Sequence, residues 1–413
     1  MKIDNYKLGD LLVKIIDNRG KTPPYSGEGD VELIETASLV GNNKFPDYNL
    51  VTKYVDQDTF NTWFRSGHPI KDDILIATVG VNIGNVVIMR ENRGCIAQNL
   101  VGFRPNIKII SPHFLYYFLS WDRTQAYLKK LDIGSAQPSI KVPHLLHVKI
   151  PCPVMMIQRK IAAILSAYDD LIENNTRRIK ILEEMAQAIY NEWFVKFRFP
   201  GHEKVKMVDS ELGKIPEGWE VKVLNEITTY QGGSQPPKTE HIYEPRRGYV
   251  RFIQNRDYSS DQHPTFIKID RRNRTCTEYD IMIDKYGEVG KIRFGLEGAY
   301  NVALAKIEPV LTNTREYIRG YLNQEKVRQY LNNASGASTR GSLNKSHFNL
   351  KIVVPQSKLL SDYEIFSKTI ISLILSYRRK NKILRQTRDL LLPKLMSGEI
   401  DVENLDIKVD NEQ

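Results

Sequence analysis

Residues 157–175 read IQRKIAAILSAYDDLIENN, and apolar side chains recur in them at steps of four and three. The pattern resumes further along, and the full stripe is Ile157, Ile161, Ile164, Tyr168 and Leu171, then Leu182, Met185 and Ile189. This spacing is typical of a coiled coil and predicts one long helix over about 154–197. Asn175 and Arg178 interrupt the stripe, and a polar residue in such a seam can fix the register of two helices.

A second long helix is predicted over 358–396. Its stripe has the same steps and consists of Tyr363, Phe366, Ile370, Leu373, Tyr377, Lys380, Leu384, Thr387 and Leu391. Pro393 is expected to end or kink it, because proline removes a helical hydrogen bond. Globular helices usually run about 11–12 residues, so two helices of about 40 residues are better explained by packing on each other than by separate cores. The acidic pairs 169–170 and 183–184 are expected on the solvated side.

Outside these helices the chain repeats itself. Segment 6–24 aligns with 219–237, and 73–80 aligns with 280–287, both ending at a glycine. Further along, Asn99 faces Asn301, Tyr127-Leu128 faces Tyr330-Leu331, and His144 faces His347. Each half contains short β-favouring runs, at 73–78, 86–89, 249–253 and 280–283, and an amphipathic helix near 113–131 or 315–331. The alternative is two unrelated domains that share common turn residues.

Together these patterns predict an α+β fold. Two similar mixed α/β domains would each be followed by a long helix, the two helices would pack on each other as a coiled coil, and the two halves would form an internal repeat. The predicted parts are a first domain over 1–153, a long helix over 154–199, a linker over 200–208, a second domain over 209–355, a long helix over 356–396 and an acidic tail over 397–413. The linker starts with Pro200-Gly201. The tail holds six acidic residues against one lysine and is expected to be mobile.

Composition limits the function classes. The chain has 413 residues, 41% hydrophobic and 26% charged, as in ordinary globular proteins. It has no apolar run long enough for a membrane span and no signal-peptide core, so we expect a cytoplasmic protein. Cys95, Cys152 and Cys276 lie far apart, which speaks against a disulfide framework or a cysteine zinc site. The net charge of +10 favours a polyanion partner, with nucleic acid first; the alternative is a solvated basic surface.

Motifs for catalysis are incomplete. Gly20-Lys21-Thr22 ends like a phosphate-binding loop, but Ile15 stands where its first glycine would be. Thr22-Pro23-Pro24-Tyr25 is similar to the Pro-Pro-aromatic element of adenine methyltransferases, yet a simple Pro-Pro turn explains it better. His144 and His147 lack a third metal ligand at useful spacing. We therefore expect a non-catalytic chain with no cofactor or metal of its own.

Three segments carry a resemblance to a known family. GKIPEGWEV at 213–221 resembles the signature that opens the second recognition domain of the DNA-specificity subunit of type I restriction–modification systems. The 150–175 segment resembles the central conserved helix of these subunits, and LLLPKLMSGEI at 390–400 resembles its distal counterpart. The likeness spans nearly the whole chain. One departure lies at 355–360, where the usual Pro-x-x-Glu-Gln spacing is not kept.

The resemblance implies an α+β fold with two similar mixed α/β target-recognition domains separated by two long antiparallel coiled-coil helices, with an internal pseudo-twofold repeat. Each domain would read one half of a split, asymmetric target in double-stranded DNA, and the helix length would set the gap. Two adenine methyltransferase (modification) subunits would dock on the assembly and bring S-adenosylmethionine, and restriction subunits are further partners. The aromatic residues Tyr190, Trp193, Phe194 and Phe197 fit either such docking or packing beneath a recognition domain.

Residues that contact DNA should be basic or amide and hydroxyl side chains on rigidly held loops. The candidates in the first domain are Arg19, Lys21, Thr78, Asn82, Gln98, Asn99, Ser135, Gln137, Ser139 and Lys141. The candidates in the second are Arg246, Arg247, Arg251, Gln254, Asn255, Arg256, Lys285, Tyr286, Asn301, Thr339, Arg340 and Lys345, with Arg340 and Lys345 the first choices. The alternative for each is a solvated surface residue, as it is for the Arg271–Arg274 cluster.

Two other functions stay open. A nuclease or methyltransferase with a split active site would cleave or methylate DNA without partners. A stand-alone DNA-binding or structural coiled-coil protein would need no methyltransferase, and a purely structural protein would show no salt-dependent DNA binding.

Overall fold

The computed structural model describes residues 3–39, 43–131, 138–259, 263–336 and 342–409. The α-helices are α1 (Gln57–Thr62), α2 (Pro112–Ser120), α3 (Asp122–Lys130), α4 (Val142–Leu146), α5 (Met155–Tyr190), α6 (Leu224–Ile227), α7 (Arg315–Leu322), α8 (Glu325–Ala334) and α9 (Ser357–Met396). The chain forms two compact units: unit 1 comprises 1–174 and 381–413, and unit 2 comprises 175–380. The fold is mixed α/β in both.

The strands of unit 1 are β1 (Ile3–Lys7), β2 (Leu12–Ile16), β3 (Val31–Ile34), β4 (Tyr54–Val55), β5 (Ile74–Ala77), β6 (Val86–Ile88), β7 (Cys95–Ile96), β8 (Leu100–Pro105) and β9 (Lys149–Pro153). They form an antiparallel β1–β9 pair, a four-stranded sheet in the order β2-β8-β5-β6 and a three-stranded sheet in the order β4-β3-β7. Within the last sheet, β3 pairs with β7 in parallel.

The strands of unit 2 are β10 (Met207–Ser210), β11 (Gly213–Pro216), β12 (Glu220–Val223), β13 (Thr228–Gly232), β14 (Tyr249–Ile253), β15 (Phe266–Lys268), β16 (Thr275–Cys276), β17 (Ile281–Asp284), β18 (Ile292–Arg293), β19 (Gly298–Tyr300), β20 (Leu304–Pro309) and β21 (Lys351–Val354). They form the pairs β10–β11 and β12–β21 and two four-stranded sheets, ordered β13-β20-β17-β18 and β15-β14-β19-β16. Apart from the hairpin β10–β11 and the extra strand β16, the strand order along the chain is the one found in unit 1.

Strand β5 lies inside the core of unit 1, and both of its faces are covered. Ile74 and Ile76 join a core with helix α2 and the start of α5, whereas Leu75 and Ala77 pack with Ile34 of the smaller sheet. A strand buried on both faces reads as a continuous apolar run, which is why the sequence at this position predicted it. In unit 2, β17 is covered on both faces in the same way.

Within each unit, the segments of α5 and α9 contact each other. In unit 1, Asp169 pairs with Arg388, and the side chain of Asn381 donates to the Ile172 carbonyl at 3.3 Å. In unit 2, Arg178 donates to the Tyr377 hydroxyl at 3.0 Å, and Ile179, Leu182 and Ala186 pack on a cluster of Ile370, Ile371, Ile374 and Leu375. In both units, a residue further along α5 contacts a residue nearer the start of α9.

The ends of the long helices differ from the sequence expectation. Helix α5 ends at Tyr190, and a π-helical turn follows over Asn191–Val195. Pro393 lies inside α9, which continues to Met396 instead of ending there, and the Pro393 carbonyl accepts from the Ser397 amide. The expected end at Pro393 is wrong, because only three residues of helix follow the proline and few helical bonds depend on it.

The acidic segment was expected to be a mobile tail, but its described part, 397–409, packs against unit 1. Val402 is 1% exposed, and Ile400 and Ile407 pack against the core of unit 1. The Lys160 ammonium donates to the carbonyls of Val402, Glu403 and Leu405 at 3.3, 2.8 and 2.8 Å. Burial of these apolar side chains and the bonds to the Lys160 ammonium hold the segment against unit 1 despite its acidic composition.

Three further expectations need correction. The helices expected at 113–131 and 315–331 are each two helices, with breaks at Trp121 and at residues 323–324. Strand β10 begins at Met207, inside the expected linker, because it pairs with β11. Asp169 is not a solvated charge but a nearly buried one, since it faces Arg388.

Tyr190, Trp193, Phe194 and Phe197 belong to the core of unit 2. Tyr190 and Phe194 are buried, and the other two side chains pack partly buried around them. The ring of Phe194 lies within 6.1 Å of the ring of Trp219. Packing beneath the second domain therefore explains these aromatic residues.

Candidate nucleic-acid interface

The first candidate surface is formed by the loops that follow β2 and β5 and precede β8. Thr78 is the residue after β5, and its amide donates to the Asn99 carbonyl at 2.7 Å. The Thr78 carbonyl in turn accepts from the Ile140 amide at 2.9 Å, and Val79 bridges to Ser139. Backbone bonds thus join the loop after β5 to the loop before β8 and to residues 139–140, with Thr78 buried at their centre. The loop after β2 reaches the same place through the Arg19 side chain.

Arg19 belongs to this cluster, but its guanidinium is already occupied. It donates through Nε and Nη2 to the two carboxylate oxygens of Asp17 at 2.9 and 2.8 Å, and through Nη1 to Thr78 Oγ1 at 3.4 Å. The hydrogen bonds from Arg19 hold the pKa of Asp17 below its usual value, although burial opposes the shift. A DNA contact through the Nε/Nη2 edge of Arg19 would have to break this bidentate pair.

Gln98 and Asn99 form the exposed turn of the cluster. Gln98 Nε2 donates to Thr22 Oγ1 at 2.7 Å. Asn99 has a φ of 61°, in the left-handed region that asparagine tolerates better than most residues. The amide side chains of this turn are therefore held on a constrained backbone and face solvent.

The same arrangement recurs in unit 2 with different side chains. Ala77 pairs with Leu100 in unit 1, and Asp284 pairs with Leu304 in unit 2. The next residue, Lys285, donates its amide to the Ala303 carbonyl at 2.8 Å and accepts from the Leu343 amide at 3.3 Å. Lys285 therefore occupies in unit 2 the place that Thr78 occupies in unit 1.

Asn99 and Asn301 do not occupy matching places, contrary to the sequence alignment. The backbone bonds match Asn99 with Ala303, two residues beyond Asn301. Asn301 is nearly buried, and its side chain accepts from the Ala303 amide at 3.1 Å. Its role is to shape the turn before β20.

Several other candidates of the second domain surround Lys285. Tyr286 is 38% exposed, and its carbonyl accepts from the Asn255 side chain at 3.3 Å. Gln254 donates to Thr265 Oγ1 at 3.4 Å, and Arg256 lies exposed 3.8 Å from Asp257. The bond from Asn255 to Tyr286, and the bond from the Asn301 amide to the Ile253 carbonyl at 2.9 Å, bring 254–256, 285–286 and 301 to one end of the unit 2 sheets.

The remaining candidates are more scattered. Arg246 and Arg247 are exposed before β14, with Arg246 over the ring of Tyr249, while Arg251 is half-buried beside Asp257. Lys345 is exposed after the 342–344 segment, and its carbonyl accepts from Asn225. In unit 1, Lys21 and Lys141 are exposed, and Asn82 is tied to the Thr36 carbonyl. Ser135, Gln137, Thr339 and Arg340 lie outside the described residues.

Residue-type reasoning missed several members of these surfaces. Asp17 and Thr22 are bonded to Arg19 and Gln98, yet neither carries an obvious binding signal in the sequence. In unit 2, the side chain of Asn273 accepts from Ser234, and Arg274 donates to the Gly232 carbonyl at 3.2 Å. The 271–274 cluster was treated as a plain turn, and only the tertiary fold brings its last two residues beside the loop after β13.

Within the described ranges, no group of three His, Cys, Asp or Glu side chains is placed to hold a metal ion. No helix in the described parts of the chain has the length and apolar character to cross a membrane.

Comparisons with known proteins agree on one family. Residues 2–184 match the type I restriction modification DNA specificity domain. The chain is similar to the specificity subunit of the type I restriction enzyme MjaIX of Methanocaldococcus jannaschii, with 29% identity over 324 residues that cover 74% of this chain and 73% of that protein. It is also similar to the specificity subunit of the enzyme HindI of Haemophilus influenzae, with 24% identity over 80% of this chain and 87% of that one.

A solved structure has the same fold. The S subunit of the type I restriction–modification system of M. genitalium matches with a TM-score of 0.58, covering 96% of each chain. At 19% identity, this likeness shows the fold alone.

Proposed function

Because this chain belongs to the DNA specificity subunits of type I restriction–modification systems, we propose that it selects a split DNA sequence and presents it to partner subunits. The recognition domains are 1–153 and 209–355, the long helices are 154–199 and 356–396, and 200–208 connects them. Each domain reads one half of the target. Because the two sets of loop side chains differ, the target is asymmetric.

The observation that carries this proposal is the recurrence of one loop arrangement in both units. The residues after β5 and after β17 make the same backbone bonds but carry a threonine and a lysine. A shared scaffold with different side chains suits two readers of different sequences, since backbone geometry positions a reader and side chains give specificity.

The long helices are proposed to form an antiparallel coiled coil that sets the gap between the half-sites, with the two halves related by a pseudo-twofold axis. Support comes from the contacts inside each unit, where partners on α9 run opposite to those on α5. A rigid spacer of fixed length lets the protein ignore the base pairs between two reading sites, as half-site spacing follows protein geometry in other DNA-binding proteins.

Two methyltransferase subunits are proposed as partners, together with S-adenosylmethionine bound to them, and restriction subunits as further members of the complex. The long helices carry large apolar side chains that remain exposed in each unit and that suit a partner surface. In unit 1 they are Met156, Leu171, Ile383 and Leu390, and in unit 2 they are Ile181, Met185, Ile365, Phe366 and Leu373. The chain itself is proposed to be non-catalytic.

The deciding experiment is methyladenine sequencing of the host genome with this gene intact and deleted. A split asymmetric motif that is methylated only with the gene present is the expected result. An unchanged set of methylated sites, in a host shown to express the partner methyltransferase, contradicts the proposal.

The competing reading is a stand-alone DNA-binding or structural coiled-coil protein. Binding of the purified chain to duplex DNA at rising salt separates these readings. Phosphate contacts give a steep loss of affinity with salt, whereas a purely structural protein shows no such binding.

A further inference from the structure

The two reading surfaces differ in charge at the same position of the shared scaffold. In unit 1 the position after β5 is the buried, uncharged Thr78, which accepts from Arg19. In unit 2 the equivalent position is Lys285. The same backbone therefore holds a neutral group in one unit and a cation in the other.

The charge of Arg19, on the unit 1 surface, is compensated by a neighbouring residue of the same surface. Asp17 receives two hydrogen bonds from the guanidinium of Arg19. Guanine is read best by an arginine or lysine that donates to O6 and N7. In Arg19 the Nε/Nη2 edge is paired with Asp17 and Nη1 donates to Thr78, so its charge is compensated and three of its five N–H groups are used.

The exposed carboxamide of Gln98 is a second group on the unit 1 surface that could contact a base. Its bond to Thr22 uses one N–H, and the side chain keeps a second N–H and the Oε1 acceptor. One donor and one acceptor on a planar group are the complement of adenine, which offers N7 as an acceptor and N6 as a donor in the major groove. The bond to Thr22 also fixes the orientation of the carboxamide.

Unit 2 replaces this chemistry with a cation. The pairing register places Gly232 where unit 1 has Asp17: Gln231 faces Lys306, and Ile16 faces Gly102. A Cβ at Gly232 would lie 3.6 Å from Lys285 Nζ, so the ammonium lies where unit 1 holds its carboxylate. Within the described ranges, Lys285 has no ion pair. Val302, which matches Gln98, offers no amide.

Resting on the function proposed above, we infer that the two units read different bases: Gln98 contacts an adenine in one half-site, and Lys285 contacts a guanine in the other. Each contact is a specificity contact at one base pair. The remaining exposed cations of both surfaces contact phosphates and give affinity without sequence preference.

The test is methyladenine sequencing in the host with the native complex and single variants of this chain. Gln98→Glu keeps the acceptor and loses the donor, so it favours cytosine N4 over adenine. We expect one adenine position in one half of the motif to change toward cytosine, with the other half unchanged. Lys285→Thr installs the unit 1 residue, and we expect a guanine position in the other half to lose its preference by about 10-fold.

Matched controls are Gln57→Glu and Lys326→Thr, which make the same changes at exposed positions on helices α1 and α8. Neither control should alter the motif. Because each variant should leave the opposite half-site intact, that half reports in the same data that the chain is folded and assembled.

Three results would overturn the inference: an unchanged motif with both variants, changes that fall in the same half, or an altered position that is not adenine for Gln98 and guanine for Lys285. The proposed function has a separate failure. If the wild-type chain directs no split motif at all, the function is wrong, whereas a wild-type motif that ignores these substitutions overturns only the base assignment.

Discussion

Arg388 donates to the carboxylate of Asp169 at 2.5 Å, and the two side chains are 12% and 8% exposed. This pair joins α9 to α5 inside unit 1. The Tyr117 hydroxyl of α2 donates to the other carboxylate oxygen at 2.5 Å. A single buried charge thus connects the two long helices to the helix that covers the central sheet of the first unit.

Removing the cation should be costly because it leaves a carboxylate uncompensated in a nearly buried place. We expect Arg388→Met to destabilise unit 1 by about 3 kcal/mol, measured by denaturant unfolding. The double variant Arg388→Met with Asp169→Asn should recover most of the loss, since the neutral amide needs no cation. A single variant that unfolds like the wild type would contradict this account.

Lys160 should anchor the segment after α9. In Lys160→Met, we expect hydrogen exchange of the Leu405 and Ile407 amides to quicken by about 10-fold, because three bonds to the ammonium are lost. Lys180→Met is the matched control, since it removes a lysine of the same helix whose side chain is 75% exposed. Equal exchange in the two variants would show that apolar packing alone holds the segment.

His113 should make unit 1 sensitive to acid. Burial, with Lys44 and Lys71 nearby, lowers the pKa of His113 from 6.5 to about 4. The unfolded chain therefore takes up a proton at a pH where the folded chain does not, and stability is present above about pH 6.5 and falls as the pH drops toward 4. The Asp72 carboxylate, 3.8 Å from His113 Nε2, limits the effect.

Between pH 7 and 4.5, the wild type should lose about 1–2 kcal/mol more unfolding free energy than His113→Gln. His144→Gln, at an exposed histidine, serves as the control and should follow the wild type. Parallel pH curves for the wild type and His113→Gln would refute this role.

Gly320 lies inside α7, where alanine would ordinarily favour the helix. At this position alanine should destabilise the protein instead, because its Cβ would come within 2.3 Å of the Tyr190 ring, which the core of unit 2 encloses. We expect Gly320→Ala to destabilise unit 2 by about 2 kcal/mol in thermal or denaturant unfolding. Gly27→Ala, where a new Cβ meets nothing within 4 Å, should be neutral.

The spacer proposal predicts a geometric result. Inserting one helical turn into both long helices adds about 5–6 Å and should lengthen the gap in the methylated motif by about two base pairs. Both half-sites should keep their sequence. A changed half-site with an unchanged gap would refute the proposal that helix length sets the spacing.

The elements that the sequence predicted well are those with a strong local signal. The apolar run of β5 is continuous because both of its faces are covered, and the steps of four and three mark both long helices. The breaks at Trp121 and at residues 323–324 have no such signal, because they interrupt apolar patterns that continue across them.

The candidate DNA-binding surfaces could be predicted only in part, because side-chain type does not show which charges are already satisfied. The sequence presents Arg19 as a basic loop residue suited to a DNA contact, but in the structure its guanidinium pairs with Asp17. Alignment on identical residues matched Asn99 with Asn301, whereas strand register matches Asn99 with Ala303. The acidic composition of 397–409 concealed the apolar Ile400 and Val402, whose partners lie far away in the sequence.

Unit 1 is built from two separate segments of the chain, which affects its folding during synthesis. Its parts, 1–174 and 381–413, are separated in the message by the whole of unit 2. A ribosome working at about 5–20 residues per second needs roughly 10–40 s to cross that interval. Until then Lys160 lacks its carbonyl partners and the site of Val402 stays open. Unit 2 is contiguous and can close first, so a stalled message releases a chain whose first unit still shows apolar surface to chaperones and proteases.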